Sequence, residues 1–244
     1  MVLTIAGLNV QAQLSTDADW KRQVYETEFS FGLQGHTSGY AVNFRAQKFV
    51  DGFNKRGLEI ELSKIKHPKE VSSASSRSQT RARGYVFGRK NSLFTLRAGL
   101  QNEKIVFDKT DRGTVSINWL YSGGLSLGLL KPIYVQLDSQ PSGGEILVER
   151  YNHVKHLSST IIGEANFFNG IGETKIWPGL YLKSGFSFDY NDSDARLSTI
   201  ELGAIWDLFF KEVPIFYEDA ATGDINKMAF FQLYISINFG YRKN

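Results

Sequence analysis

Two histidines three residues apart, His153 and His156, are the first residues of this chain whose spacing could do chemistry. On a helix, positions i and i+3 share a face. Two imidazoles so placed, with Glu149 and Glu164 nearby, could meet a metal ion. A catalytic zinc needs three protein ligands, each held in orientation by a further hydrogen bond. Spacing alone supplies only the pair, and no metal is assigned. Ser158 and Ser159 follow the histidines, and a hydroxyl activated by an adjacent base would begin a hydrolase. Asp189, Asn191, Ser193 and Asp194 resemble the start of a calcium loop. Its sixth position, where glycine is needed, is Asp194, and its twelfth, where glutamate is needed, is Ile200. A polar turn is expected there. Gly123-Gly124 and Gly128 do not follow G-x-G-x-x-G or open a helix, so no nucleotide site follows. No catalytic residue and no cofactor is assigned.

A second group is one of charge. Lys64, Lys66, Lys69, Arg77, Arg81, Arg83, Arg89 and Lys90 lie in or beside one Ser/Arg-rich stretch whose only acid is Glu70. Lysine and arginine suit phosphate through charge-assisted hydrogen bonds. The net charge is only +3 and aromatic residues are sparse in this stretch, so nucleic acid is not an expected partner.

The elements that must position these residues read as strands. The closing segment, Met228 to Asn244, places Phe231, Leu233, Ile235, Ile237, Phe239 and Tyr241 at every second position, with Gln232, Tyr234, Ser236, Asn238 and Gly240 between them. Period-two alternation marks a strand with one apolar and one polar face. The same alternation runs through Arg22–Gly35, Tyr40–Phe49, Gly57–Lys66, Ser92–Gln101, a strand starting near Gly113, Gly179–Tyr190 and Leu197–Phe209. Eight strands are predicted, or ten if Arg83–Arg89 and Leu125–Leu137 count separately. Asn102–Arg112 reads as a connector with Ile105-Val106-Phe107 as an apolar plug. Gly123-Gly124 read as a bulge or bend, and Asn152 to Phe168 could hold a short helix. The two longest loops are 67–91 and 138–178.

The chain has 244 residues, 42% of them hydrophobic and 14% aromatic, with a mean hydropathy of −0.25 and no cysteine. No apolar window is long enough for a transmembrane helix, a limit that does not apply to strands. Lack of cysteine excludes disulfides, thiolate metal sites and a lipoprotein anchor. Residues 1–13 read as a truncated signal peptide: Val2 to Leu8 is an apolar run, and Val10-Gln11-Ala12 offers small residues for cleavage. The expected fold is all-β, an antiparallel up-and-down transmembrane β-barrel over residues 14–244 in the outer membrane of a Gram-negative cell. The rival is a soluble barrel or sandwich with the alternation turned inside out. An eight-stranded barrel is just wide enough for side chains to fill it. The predicted inward charges are Glu26, Glu28, Glu59, Glu61, Asp189, Glu201 and Asp207 against Arg45, Arg97 and Lys183, a set too acidic to pair fully.

Four stretches resemble a family of uncharacterised outer-membrane barrel proteins of the Bacteroidota: Lys66-His67-Pro68-Lys69-Glu70, Tyr85 to Asn91, Ser126 to Pro132, and Asn238-Phe239-Gly240-Tyr241. The resemblance implies fold and location but no activity. The expectation is a non-enzymatic barrel, structural or interacting with lipopolysaccharide or another envelope protein through external loops. On it the basic group would meet lipid A phosphates, and Phe239 and Tyr241 would be read by the barrel-insertion machinery. One alternative is a membrane-embedded lipid A or phospholipid hydrolase, although the His-x-Ser-Asn pattern of lipid A deacylase barrels is missing. Another is a small-solute channel or lipid-binding barrel.

Overall fold

The computed structural model of the protein describes residues 26–67, 70, 72–73, 84–108, 114–138, 146–156, 160–191, 196–218 and 225–243. Its strands are β1 (Thr27–His36), β2 (Gly39–Phe49), β3 (Asn54–Ile65), β4 (Ser72–Ser73), β5 (Tyr85–Val86), β6 (Asn91–Phe107), β7 (Ser116–Pro132), β8 (Tyr134–Asp138), β9 (Ile146–Arg150), β10 (Ile161–Glu164), β11 (Lys175–Asp189), β12 (Arg196–Val213) and β13 (Lys227–Lys243). Eight of them close into one barrel in the order β1-β13-β12-β11-β7-β6-β3-β2, every neighbour antiparallel. Chain-adjacent barrel strands are neighbours throughout, and β13 closes the ring against β1. The eight-strand, up-and-down reading is therefore the observed fold.

The stagger of the barrel follows from its pairing. A line of paired residues starts at Lys243 and passes through Thr27, Lys48, Arg56, Asn102, Tyr121, Ser184 and Ala204. It returns to β13 at Leu233, ten residues from its start. Eight strands with that stagger tilt by about 40° from the barrel axis. The six outward residues from Phe231 to Tyr241 are each between 44% and 56% exposed. At about 3.3 Å per residue and that tilt, they form an apolar band about 25 Å tall. The inward residues of the same strand, Gln232, Ser236 and Asn238, are at most 1% exposed. The polar face is thus inside and the apolar face outside, the reverse of a soluble barrel.

Several sequence expectations change. The predicted connector Asn102–Arg112 and its plug give way to strand: β6 runs on to Phe107, with Val106 and Phe107 exposed. Asn102 and Lys104 put polar residues on the outer face here, and that hid the continuing alternation. Gly123-Gly124 make no bulge, since pairing on both sides of β7 is continuous through them. Their use is steric. A Cβ on inward Gly124 would lie 2.4 Å from the Cα of Gly99, and one on Gly99 would lie 2.7 Å from the Tyr181 hydroxyl, so the pair makes room for that ring in the lumen. Leu125–Pro132 continues β7, and only Tyr134–Asp138 is separate. No α-helix occurs among the described residues. The stretch 152–168 carries a turn at 153–155 and β10, and a single 3-10 turn lies at Ile171–Glu173. β11 starts at Lys175, and β12 extends to Val213 past a register shift after Leu208. The signal-peptide reading lies outside the described residues.

All the long connections leave one end of the barrel: 66–90, 133–174 and 214–226. The other end carries the turn at 50–53, the connections 108–115 and 190–195, and both terminal strand ends.

Candidate functional site

The lumen is the first place where charge converges. β2, β3, β6, β11 and β12 point Arg45, Glu59, Glu61, Arg97, Lys183, Glu201 and Asp207 into it, each at most 3% exposed. Arg97 donates through Nε and Nη2 to both oxygens of Asp207, at 2.9 and 2.6 Å, and through Nη1 to Glu61. Arg45 grips Glu201 with two nitrogens and reaches Glu59 at 3.1 Å. Lys183 Nζ joins Glu59 at 2.8 Å to Glu61 at 2.9 Å and lies over the Tyr234 ring. Ser122 donates to Glu59, and Ser126 and Gln232 donate to Asp207. Buried charges are tolerable only when paired and hydrogen-bonded, and here each is.

A second set lies towards the terminal end. Lys55 reaches Glu28 at 3.0 Å and Glu103 at 3.3 Å, and Arg242 reaches Glu28 at 2.9 Å and Asp189 at 3.0 Å. Lys55, Glu103 and Arg242 are the lumen charges that sequence reading missed. Continuing the inward parity of β3, β6 and β13 by one residue pair finds all three. Glu26, predicted inward, is exposed instead, and with these changes the acid excess expected from sequence falls by half.

At the loop end the inward face turns apolar. Ile65, Leu93, Leu130, Phe209 and Phe230 meet Val213, Ile215 and Phe216, all at most 8% exposed, and plug the barrel. Above the plug, β8, β9 and β10 form a three-stranded sheet in the order β10-β8-β9. Tyr85, Ile133, Val135, Tyr151 and Ile161 form its core. Three loops are stitched into one cap. Arg89 bridges Glu70 at 3.0 Å and Glu164 at 2.9 Å, Tyr217 donates its hydroxyl proton to the Tyr151 carbonyl, and Gly88 N–H donates to the Tyr151 hydroxyl. Asn226 clasps the last loop: its Oδ1 accepts from Ile215 and Phe216 N–H, while its N–H and Nδ2 donate to Glu218 at 3.0 and 2.7 Å. Those donors, the backbone N–H first, hold the Glu218 carboxyl below the usual range.

The predicted basic group is thereby divided. Lys66 is exposed at the foot of the cap, and Lys64 stands on the outer wall with its ammonium 5.6 Å from the Phe94 ring centre. Arg89 is 7% exposed inside the cap and is a structural cation rather than a free one. Lys90 lies over the Tyr217 ring. Lys69, Arg77, Arg81 and Arg83 lie outside the described residues. Phe239 and Tyr241 both face outward near the terminal rim.

The histidines do not converge. His153 stacks on Tyr217 with ring centres 4.4 Å apart. His156 Nδ1 accepts from Asn152 N–H at 3.3 Å, which leaves Nε2 to carry the proton towards Glu149 at 3.2 Å. With both nitrogens engaged, His156 has none left to deprotonate a hydroxyl. The hydrogen bond from Lys155, then that from His156, holds the Glu149 carboxyl low. Ser158 and Ser159 lie outside the described residues, and among the described residues no three His, Asp or Glu side chains group as a metal site.

No protein-family model and no curated protein matches the chain. Among solved structures it is similar to Neisserial surface protein A (NspA), at 10% sequence identity over 90% of this chain and 97% of that one, with a TM-score of 0.40. It is similar to the N-terminal β-barrel domain of Pseudomonas aeruginosa OprF, at 8% identity over 89% and 98%, with a TM-score of 0.35. It is also similar to Ail, the attachment invasion locus protein of Yersinia pestis, solved in complex with the heparin analogue sucrose octasulfate, at 8% identity over 89% and 97%, with a TM-score of 0.35. The chain's eight-stranded barrel rests on its own strand pairing.

Proposed function

We propose that this chain spans the outer membrane of a Gram-negative envelope as a closed, non-conducting barrel whose work is done by its loop-end cap. The observation that carries the reading is the combination of an apolar outer band with a lumen filled by ion pairs and stoppered by Phe209, Phe230 and their neighbours. Strands so arranged suit lipid outside and leave no continuous path for solute inside. The cap has its own apolar core, so it is a shaped surface rather than loose loops, suited to meet another envelope protein or lipopolysaccharide. Lys64 and Lys66 stand where lipid A phosphates of the outer leaflet would lie, and Phe239 and Tyr241 serve as the aromatic end that the insertion machinery reads. The family resemblance to Bacteroidota barrels belongs to the same proposal.

The test combines folding and conductance. The purified chain should need detergent, migrate as a heat-modifiable band and give no steady conductance in planar bilayers. A chain soluble without detergent would refute the membrane reading, and ohmic open steps would refute the closed barrel.

A further inference from the structure

Near the terminal end of the barrel the outer face carries cations on three consecutive strands. The paired line that climbs ten residues of β13 in eight strands allows heights to be compared between strands. By that measure Arg56, three strands along from Lys243, stands level with Phe239. Lys48 on β2 and Lys104 on β6 stand level with Gly240 and Tyr241. Elsewhere this level is largely an apolar and aromatic rim, with Phe29 on β1, Ile117 and Trp119 on β7, Phe188 on β11, and Phe239 and Tyr241 on β13, while β12 sets Ser198 and Arg196 opposite Phe239 and Tyr241. On the three consecutive strands β2, β3 and β6, cations replace it.

These cations have no carboxylate partner among the described residues, whereas every lumen cation has at least one. Arg56 donates through Nε to Asn102 Oδ1 at 2.8 Å, which fixes the guanidinium and leaves its terminal nitrogens without an acceptor among the described residues. A cavity of about 220 Å³ opens beside them, lined by Arg56, Asn102, Lys104 and Tyr121. The two acids at its edge are already engaged: Asp51 accepts from Phe53 and Asn54, and Glu103 accepts from Lys55 and Asn118.

We propose that Lys48, Arg56 and Lys104, with Asn102, form a binding site for the head-group phosphate of an anionic phospholipid in the leaflet nearer the chain termini. The inference rests on the membrane-spanning reading above. Cations at the lower edge of an apolar band would be costly against acyl chains, but there they meet the phosphate layer, where each Lys or Arg adds to the attraction for anionic lipid. The arginine fork suits two phosphate oxygens, and Tyr121, nearer the membrane centre, lies beside the glycerol and upper acyl region.

Native mass spectrometry of the detergent-purified full chain, titrated with phosphatidylglycerol or phosphatidylcholine, tests this. Wild type should retain phosphatidylglycerol preferentially. Arg56→Gln with Lys104→Gln should lower that preference about tenfold, taking about fivefold per cation as an upper bound. Lys211→Gln, at an exposed position near the opposite end of the barrel, should leave it unchanged, and inorganic phosphate should not displace the lipid. Each protein is first shown to be a folded barrel by its heat-modifiable migration. A folded wild type without preference, a double variant that keeps it, or displacement by inorganic phosphate overturns the site while leaving the barrel standing. Failure to form a heat-modifiable barrel overturns both.

Discussion

Replacing Arg97 by methionine tests whether the lumen is a dry ion-pair network. Arg97 is fully buried and is the only cation bonded to Asp207 among the described residues. Without it, Glu61 keeps Lys183 and Gln34. Asp207 keeps only the neutral donors Ser126 and Gln232, so its charge is left unpaired in a closed interior. Breaking a buried pair from one side costs about 3–5 kcal/mol, whereas replacing both charges by neutral groups is often close to neutral. Arg97→Met should therefore lower the unfolding free energy by about 3–5 kcal/mol, and adding Asp207→Asn should restore most of that loss. The assay is urea unfolding of the protein in phospholipid vesicles, followed by fluorescence of Trp119 and Trp206, which face outward. A single-variant loss below about 1 kcal/mol would mean that water solvates Asp207 and the lumen is not dry. A double variant no better than the single would mean that the cost comes from packing and not from charge.

Two further outcomes follow from the strand end and the cap. Truncation after Ile237 removes the last four residues that pair with both β1 and β12, together with Arg242 and its bonds to Glu28 and Asp189, and should abolish membrane insertion; normal insertion in cell fractionation would refute the assembly role. In the cap, Glu218 is held below its ordinary value near 4.5. A depressed carboxyl contributes fully above that ordinary value and loses its contribution as pH falls through the lower folded one. Amide-exchange protection at Ile215 and Phe216 should thus be flat from neutral pH down to the ordinary carboxylate range and fall only below it; a loss already near pH 6 would contradict this clasp.

The barrel was legible in the sequence because alternation is a local property. Phe231 to Tyr241 repeats every second residue, and that parity fixes which side chains share a face whatever the rest of the chain does. The inward set read from parity alone was nearly complete, and it erred where the outer face lost its apolar signal. Asn102 and Lys104 end the apparent strand too early and take Glu103 with it, while Lys55 and Arg242 lie just beyond the clear alternation of their strands. The same polar residues that obscured β6 became the proposed lipid site once pairing set them beside Lys48 and Arg56. Sequence gave no way to see this, since the residues lie on three strands.

Parity by itself did not distinguish an apolar exterior from an apolar interior, because both give the same alternation. Only closure of β13 on β1 decided that the Gln232, Ser236 and Asn238 face turns inward, where Arg97 can find Glu61 and Asp207 from two other strands. The cap was likewise beyond sequence: Arg89, Glu70 and Glu164 are separated along the chain and show no common period, and tertiary packing alone makes them partners. What the chain determined by itself was the two-faced strand, with Phe239 and Tyr241 at its end. What the tertiary structure decided was which face meets lipid, how the buried charges pair, and where the outer face breaks.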